Sequence, residues 1–180
     1  GGVGGIQMAQ VSVDTETGAY LQRGAKQWRT GDAASEIAGS GKLSELLRTA
    51  VAASEPEALD PMDRALFELA AQAQTGLAAT GSRRRELLAV TNVWDLPGEA
   101  DYLAATKGAP EAIARLCRMN AAQHAELIAS VDTLARQGIR VLAVARGQHA
   151  RGSLPDSPLG LSFEFAGLLG VSVCGARVND

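Results

Sequence analysis

Two spacings of apolar residues mark the elements of this chain. Alternating or continuous short runs suit strands, and recurrence every three to four positions suits helices. Ile6 to Val13 alternates loosely and ends on Val11 and Val13, and Asp14-Thr15-Glu16-Thr17-Gly18 supplies turn residues before Ala19-Tyr20-Leu21 resumes the extended pattern. The start therefore reads as a β-hairpin. Arg23 to Asp32 is polar and irregular around Trp28. From Ser35 to Ser54, Ile37, Leu43, Leu46, Leu47, Ala50 and Val51 keep helical spacing, broken at Gly39-Ser40-Gly41. A short helix and a longer one from about Lys42 to Ala53 are predicted. The next helix opens at Asp60-Pro61 and runs to about Gln74, with Asp60 as N-cap, Pro61 at the first position, Asp63 in the first turn and Ala65, Leu66, Leu69 and Ala70 inside.

After Thr80-Gly81-Ser82 the run Arg83-Arg84-Arg85 reads as a solvated charged face. Leu87 to Trp94 and Tyr102 to Thr106 are strands of one hairpin, turning at Pro97-Gly98. Lys107-Gly108-Ala109 then leads into a helix with Pro110 at its first position, Glu111 in its first turn, and Ile113, Leu116 and Cys117 on one apolar face. Ala121 to Gln137 forms another helix, with Leu127, Ile128, Val131, Leu134 and Ala135 on one side and Gly138 as its C′ stop. Ile139 to Ala145 is the clearest strand. Gln148 to Pro158 reads as a loop, and Ser162 to Leu169 as a last strand with Phe163, Phe165 and Leu168 inward. This order points to an α+β domain with one antiparallel sheet flanked by helices.

Composition narrows the function classes. A chain of 180 residues suits one domain, and its 46% hydrophobic content with only 4% aromatics calls for a core of Leu, Val, Ile and Ala. The net charge of −3 offers no basic field for nucleic acid or acidic lipid. Cys117 and Cys174, the only thiols, lack CxxC or Cys/His clustering, which suits a reduced, cytosolic setting without a metal framework. No apolar run reaches the roughly 18 residues of a membrane span. Residues 1–5, Gly-Gly-Val-Gly-Gly, read as a tag or linker rather than a signal peptide.

Candidate chemistry concentrates at Lys107 and Gly108. A cation at a strand end beside a residue without a side chain lets a flat ring or a phosphate approach the backbone; an ordinary solvated connection is the competing reading. Gly39-Ser40-Gly41-Lys42 is not a P-loop, because Glu36 and Leu43 stand where glycine and Ser or Thr are needed and no strand precedes it. Asp63 could accept from an exocyclic amine or serve the helix dipole. Arg140, the single charge in an apolar strand, needs a phosphate, a carboxylate such as Asp132 or Glu164, or a solvent path. His124 has no acid or nucleophile in a motif with it and reads as a surface residue.

Three segments in order carry a resemblance. Asp60-Pro61-Met62-Asp63-Arg64-Ala65-Leu66, Lys107-Gly108-Ala109-Pro110-Glu111 and Gly138-Ile139-Arg140-Val141-Leu142-Ala143-Val144-Ala145 resemble signature segments of the nucleotide-binding domain of bacterial cation-transporting P-type ATPases. Phe165 to Gly170 is similar to the strand that leads back to that family's phosphorylation domain. The resemblance covers about residues 6–170 and leaves residues 171–180 as a hinge remnant or vector-derived tail, since the family's Asp-Pro-x-Arg hinge is missing.

What the resemblance implies is a six- or seven-stranded antiparallel sheet flanked by helices, with both chain ends at one hinge. It implies ATP as ligand, with Mg²⁺ bound through the phosphates, and the phosphorylation and actuator domains of a pump as partners, at the cytoplasmic face of a membrane. Lys107, Gly108 and Ala109 would wall the adenine and ribose, Asp63 would meet the adenine amine, and Arg140 the phosphates. Family members carry an adenine-stacking aromatic where the closest register here sets Arg83, and a basic residue where Leu88 stands. Arg83 or Arg85 could stack in its place through a guanidinium plane. Partial desolvation would lower the pKa of Lys107. No catalytic residue is implied, since the chain holds no Asp-Lys-Thr-Gly loop and no Asp-Gly-x-Asn-Asp segment. The alternative is a non-enzymatic α+β interaction domain with no nucleotide site; a small hydrolase lacks any nucleophile–base pairing.

Overall fold

A computed structural model describes residues 10–14, 18–23, 26–28, 41–54, 63, 64, 66, 67, 70, 80–86 and 89–172, the strands before residue 29 and at 80–86 by their backbone alone. Outside the described residues lie the glycine-rich start, the short helix expected after Ser35, the Asp60-Pro61 helix start, Leu87 and Leu88, and the tail from residue 173.

The fold is α+β, as the order of apolar patterns indicates. Its strands are β1 (Gln10–Asp14), β2 (Gly18–Arg23), β3 (Lys26–Trp28), β4 (Thr80–Glu86), β5 (Ala89–Asp95), β6 (Asp101–Gly108), β7 (Arg140–Ala150) and β8 (Ser162–Ser172). The helices are α1 (Gly41–Ala52), α2 (Pro110–Leu116) and α3 (Ala121–Ala135), with a 3-10 turn at Pro158–Gly160. Asp63, Arg64, Leu66, Phe67 and Ala70 are also helical.

Among the described residues the strand order β3-β2-β1-β8-β7-β6-β5-β4 makes an eight-stranded sheet, where six or seven strands were expected. The additional strands are the two edges. Neither Lys26–Trp28 nor Thr80–Glu86 has apolar alternation, because an edge strand pairs on one side only and tolerates charge there. Arg83 to Arg85 thus belong to a strand. The sheet is also mixed rather than wholly antiparallel: β1 takes the free edge of β8 running in the same direction, with Gln10 opposite Leu168 and Asp14 opposite Ser172. Where the chain enters β1 and where it leaves β8 are therefore opposite ends of that pair.

Both expected hairpins form. β1 and β2 close with Asp14 opposite Gly18, and β5 and β6 run from Trp94 opposite Leu103 to Ala89 opposite Gly108, turning at Gly98 with φ 81°. β6 is longer than Tyr102 to Thr106, because Lys107 and Gly108 continue the ladder against Val144 and Ala143 of β7. β7 likewise extends to Ala150, beyond the expected loop start. Between β7 and β8 the register slips at Val144/Ala145, where Ala166 bulges and Gly167 adopts φ 149°.

One face of the sheet carries α1, whose Leu43, Leu46, Leu47 and Ala50 are fully buried at helical spacing. The other carries α2 and α3, with Ile113, Ala114, Leu116, Leu127 and Leu134 packed on Ala104, Ala143, Ala145 and Phe163. α2 begins at Pro110 with Glu111 in its first turn. α3 opens with an unforeseen capping box, the Gln123 amide donating to Asn120 Oδ1 at 2.8 Å and the Asn120 amide to Gln123 Oε1 at 3.0 Å. It stops at Gly138, which has φ 77° and whose N–H donates to Ala135 O, with the next amide, Ile139, donating to Leu134 O. Ala135 is exposed, while Leu127 and Leu134 anchor the helix.

Candidate functional site

Paired residues of neighbouring antiparallel strands project from the same face. Arg85, Val90, Lys107 and Val144 form one cross-strand row; Arg83, Asn92, Ala105, Arg146 and Glu164 form the next; Trp94, Leu103 and Gln148 lie in the third. This is the face covered by α1, since Asn92 and Trp94 bond to its C-terminal carbonyls.

At the end of that face nearest α2, Lys107 Nζ forms an ion pair with Asp63 Oδ1 and donates to Ser54 Oγ at 2.6 Å. Both charged side chains are only 9% exposed. A buried ion pair persists only where the opposite charge and further hydrogen bonds compensate lost hydration, and here Asp63 and Ser54 do so.

Ser54 is itself fixed. Its hydroxyl donates to Ala50 O at 2.7 Å, and its carbonyl accepts from Asn92 Nδ2 at 2.9 Å. Asn92 Nδ2 also donates to Ala52 O at 2.8 Å, and Trp94 Nε1 donates to the same carbonyl at 2.7 Å. Two β5 side chains thus satisfy carbonyls that the end of a helix leaves without partners. Asn92 Oδ1 is buried with no hydrogen-bond partner among the described residues, so the two donor bonds set the orientation of this amide.

The structure brings Lys107 and Asp63 into contact. Gly108 is buried at the end of β6, and Ala109 is the half-buried N-cap of α2, contributing no side-chain bond. By backbone register Arg85 shares the row of Lys107 and Arg83 the adjacent row. Arg140 stands apart. It is exposed at the start of β7, opposite Val171, and four residues along that strand from Val144, which faces Lys107. By strand rise the separation is roughly 13 Å, on the same face by alternation. Among the described residues Arg140 pairs with neither Asp132 nor Glu164, and it is exposed to solvent. His124 is exposed, and Leu88 lies outside the described residues.

Sequence reasoning passed over Ser54 and Asn92. Asn92 did leave a signal: a lone amide inside the run Ala89–Asp95 must find partners when buried. A further cleft of about 430 Å³ lies at the other end of the α1 face, lined by Ser44, Glu45, Arg48, Tyr102 and Arg146 among others. An exposed Arg146–Glu45 ion pair borders it. Among the described residues no group of three His, Cys, Asp or Glu side chains is placed to hold a metal, and no helix is long and apolar enough to cross a membrane. Compared with known protein families and with curated protein sequences, the chain matches none.

Proposed function

We propose that this chain is the ATP-binding domain of a cation-transporting P-type ATPase. It holds ATP, with Mg²⁺ carried on the phosphates, so that the γ-phosphate reaches an aspartate on a separate phosphorylation domain. Its own contribution to phosphoryl transfer is positioning. Lys107 and Gly108 line the adenine and ribose, with Ala109 at the same turn; Asp63 reads the adenine amine; Arg140 meets the phosphates; Arg83 or Arg85 supplies a guanidinium plane for the base.

The observation that carries this reading is the contact between Lys107 and Asp63. The two residues are 44 apart in sequence, and each comes from a different one of the resembling segments. Arg140, on the same face and exposed, leaves its guanidinium open to a polyphosphate. The same contact also favours a second reading, an interaction domain without a nucleotide site in which Lys107 and Asp63 serve each other alone.

Calorimetric titration with MgATP and with adenosine separates the two. The nucleotide reading expects ATP to bind more tightly than adenosine, and Arg140→Ala to weaken ATP roughly tenfold, the worth of one hydrogen bond to a charged group, while leaving adenosine unchanged. No binding of ATP, or equal ATP affinity in the unaltered chain and R140A, favours the interaction domain.

A further inference from the structure

We infer that Ser54 is the positioning residue for the Lys107 ammonium, set in place by Asn92 and Trp94 of β5. The inference rests on the nucleotide reading only in what it says about ATP. A serine hydroxyl has one hydrogen and two lone pairs. That hydrogen is committed to Ala50 O, so the rotor is fixed and a lone pair is presented to Lys107 Nζ. Ser54 is fully buried, so no bulk water competes for the ammonium at this point.

The height of Ser54 over the sheet comes from elsewhere. Asn92 and Trp94 hold the Ala52 and Ser54 carbonyls against β5, and the β5–β6 register sets Asn92 and Lys107 in adjacent rows. β5 thus places the acceptor and β6 the donor, both from one hairpin. Asp63 comes from a separate helical segment and compensates the charge. Division of labour follows: Asp63 keeps the ammonium in the interior, and Ser54 fixes where on the sheet it points. A base or ribose packed on Lys107 meets the ammonium where Ser54 Oγ holds it.

Ser54→Ala removes the hydroxyl but keeps the carbonyl that Asn92 holds, so the end of α1 stays clamped. Its thermal midpoint is expected to remain within a few degrees of the unaltered chain. The side-chain ¹⁵Nζ resonance of Lys107 is expected to be protected from solvent exchange in the unaltered chain, to broaden or vanish in S54A, and to persist in Ser54→Thr, which retains a hydroxyl. MgATP is expected to bind several-fold more weakly to S54A. An ammonium resonance with the same position and exchange rate in S54A overturns the inference whatever ATP does. If the unaltered chain binds no ATP while S54A still loses the resonance, Ser54 stands as the residue that places Lys107 and the nucleotide reading alone falls.

Discussion

Removing one member of the Lys107–Asp63 pair should be among the most damaging single changes available to this chain. In Lys107→Met the methionine fills much of the volume of the lysine stem, but Asp63 keeps a carboxylate that is 9% exposed and has lost the cation beside it. Removing one partner of a buried ion pair in this way costs about 3–5 kcal/mol. For a domain of this size each kcal/mol moves the thermal midpoint by about 2–4 °C, so K107M should melt roughly 6–20 °C lower. Asp63→Leu takes the carboxylate from beside the ammonium and should cost a similar amount. The double variant K107M/D63L removes both charges and should recover most of the loss, since replacing a whole buried pair by apolar groups is often neutral or stabilising. Urea denaturation of all four proteins closes the cycle, provided the slopes agree. The exposed Arg146–Glu45 pair, with side chains 42% and 52% accessible, is the internal control, and Glu45→Gln should cost about 0–1 kcal/mol. Single-variant losses no larger than that, or a double variant as unstable as the sum of the two, would refute the reasoning.

Three further outcomes follow from the same structure. The Cys117 thiol is pushed up from 9.0 to about 12, first by burial and then by the charge of Glu164; iodoacetamide at pH 8 should spare it in the folded chain and modify it in urea, as read by peptide mass. The unfolded thiol ionises first, so stability should fall as pH rises from 9.0 towards 12, and less so in Cys117→Ala; native-state alkylation at the unfolded rate would contradict this. Gly147 lies where an added Cβ would stand 2.3 Å from Ser162 O, a main-chain atom of the neighbouring strand. Gly147→Ala should therefore force β7 from β8 and cost at least about 1–3 kcal/mol, a loss that a thermal melt would detect and that a change under about 0.5 kcal/mol would contradict.

Elements with a strong apolar period were legible in the sequence. Leu43, Leu46, Leu47 and Ala50 gave α1 almost to the residue, and Pro110 and Gly138 marked a helix start and a helix stop by the restrictions on their own backbones. The edge strands were not legible, because β3 and β4 are polar and their pairing is a matter of backbone alone. Arg118 shows the same limit at a helix end. It takes φ 52° after α2 and ends that helix much as Gly138 ends α3, with its Nη2 bonded to Leu159 O at 2.9 Å, and no glycine announces it. Of the site, Lys107 and Asp63 were legible as residues of interest, but their direct contact was not, since it depends on where a helix lands on the sheet. Ser54 was invisible for a related reason: its part is played with a carbonyl and a hydroxyl held by side chains 38 residues and more away. Arg140 was expected beside the others and stands instead at the exposed start of β7, because it precedes Val144, the residue paired with Lys107, by four positions along that strand.

The most direct test of the central claim is a residue-resolved amide NMR titration of this chain with MgATP. The account expects saturable shifts at Lys107, Gly108 and Asp63, reaching Arg140 with ATP but not with adenosine, and little change around Cys117 on the opposite face. Shifts absent from Lys107 and Arg140, or confined to the cleft at Glu45 and Tyr102, would contradict it.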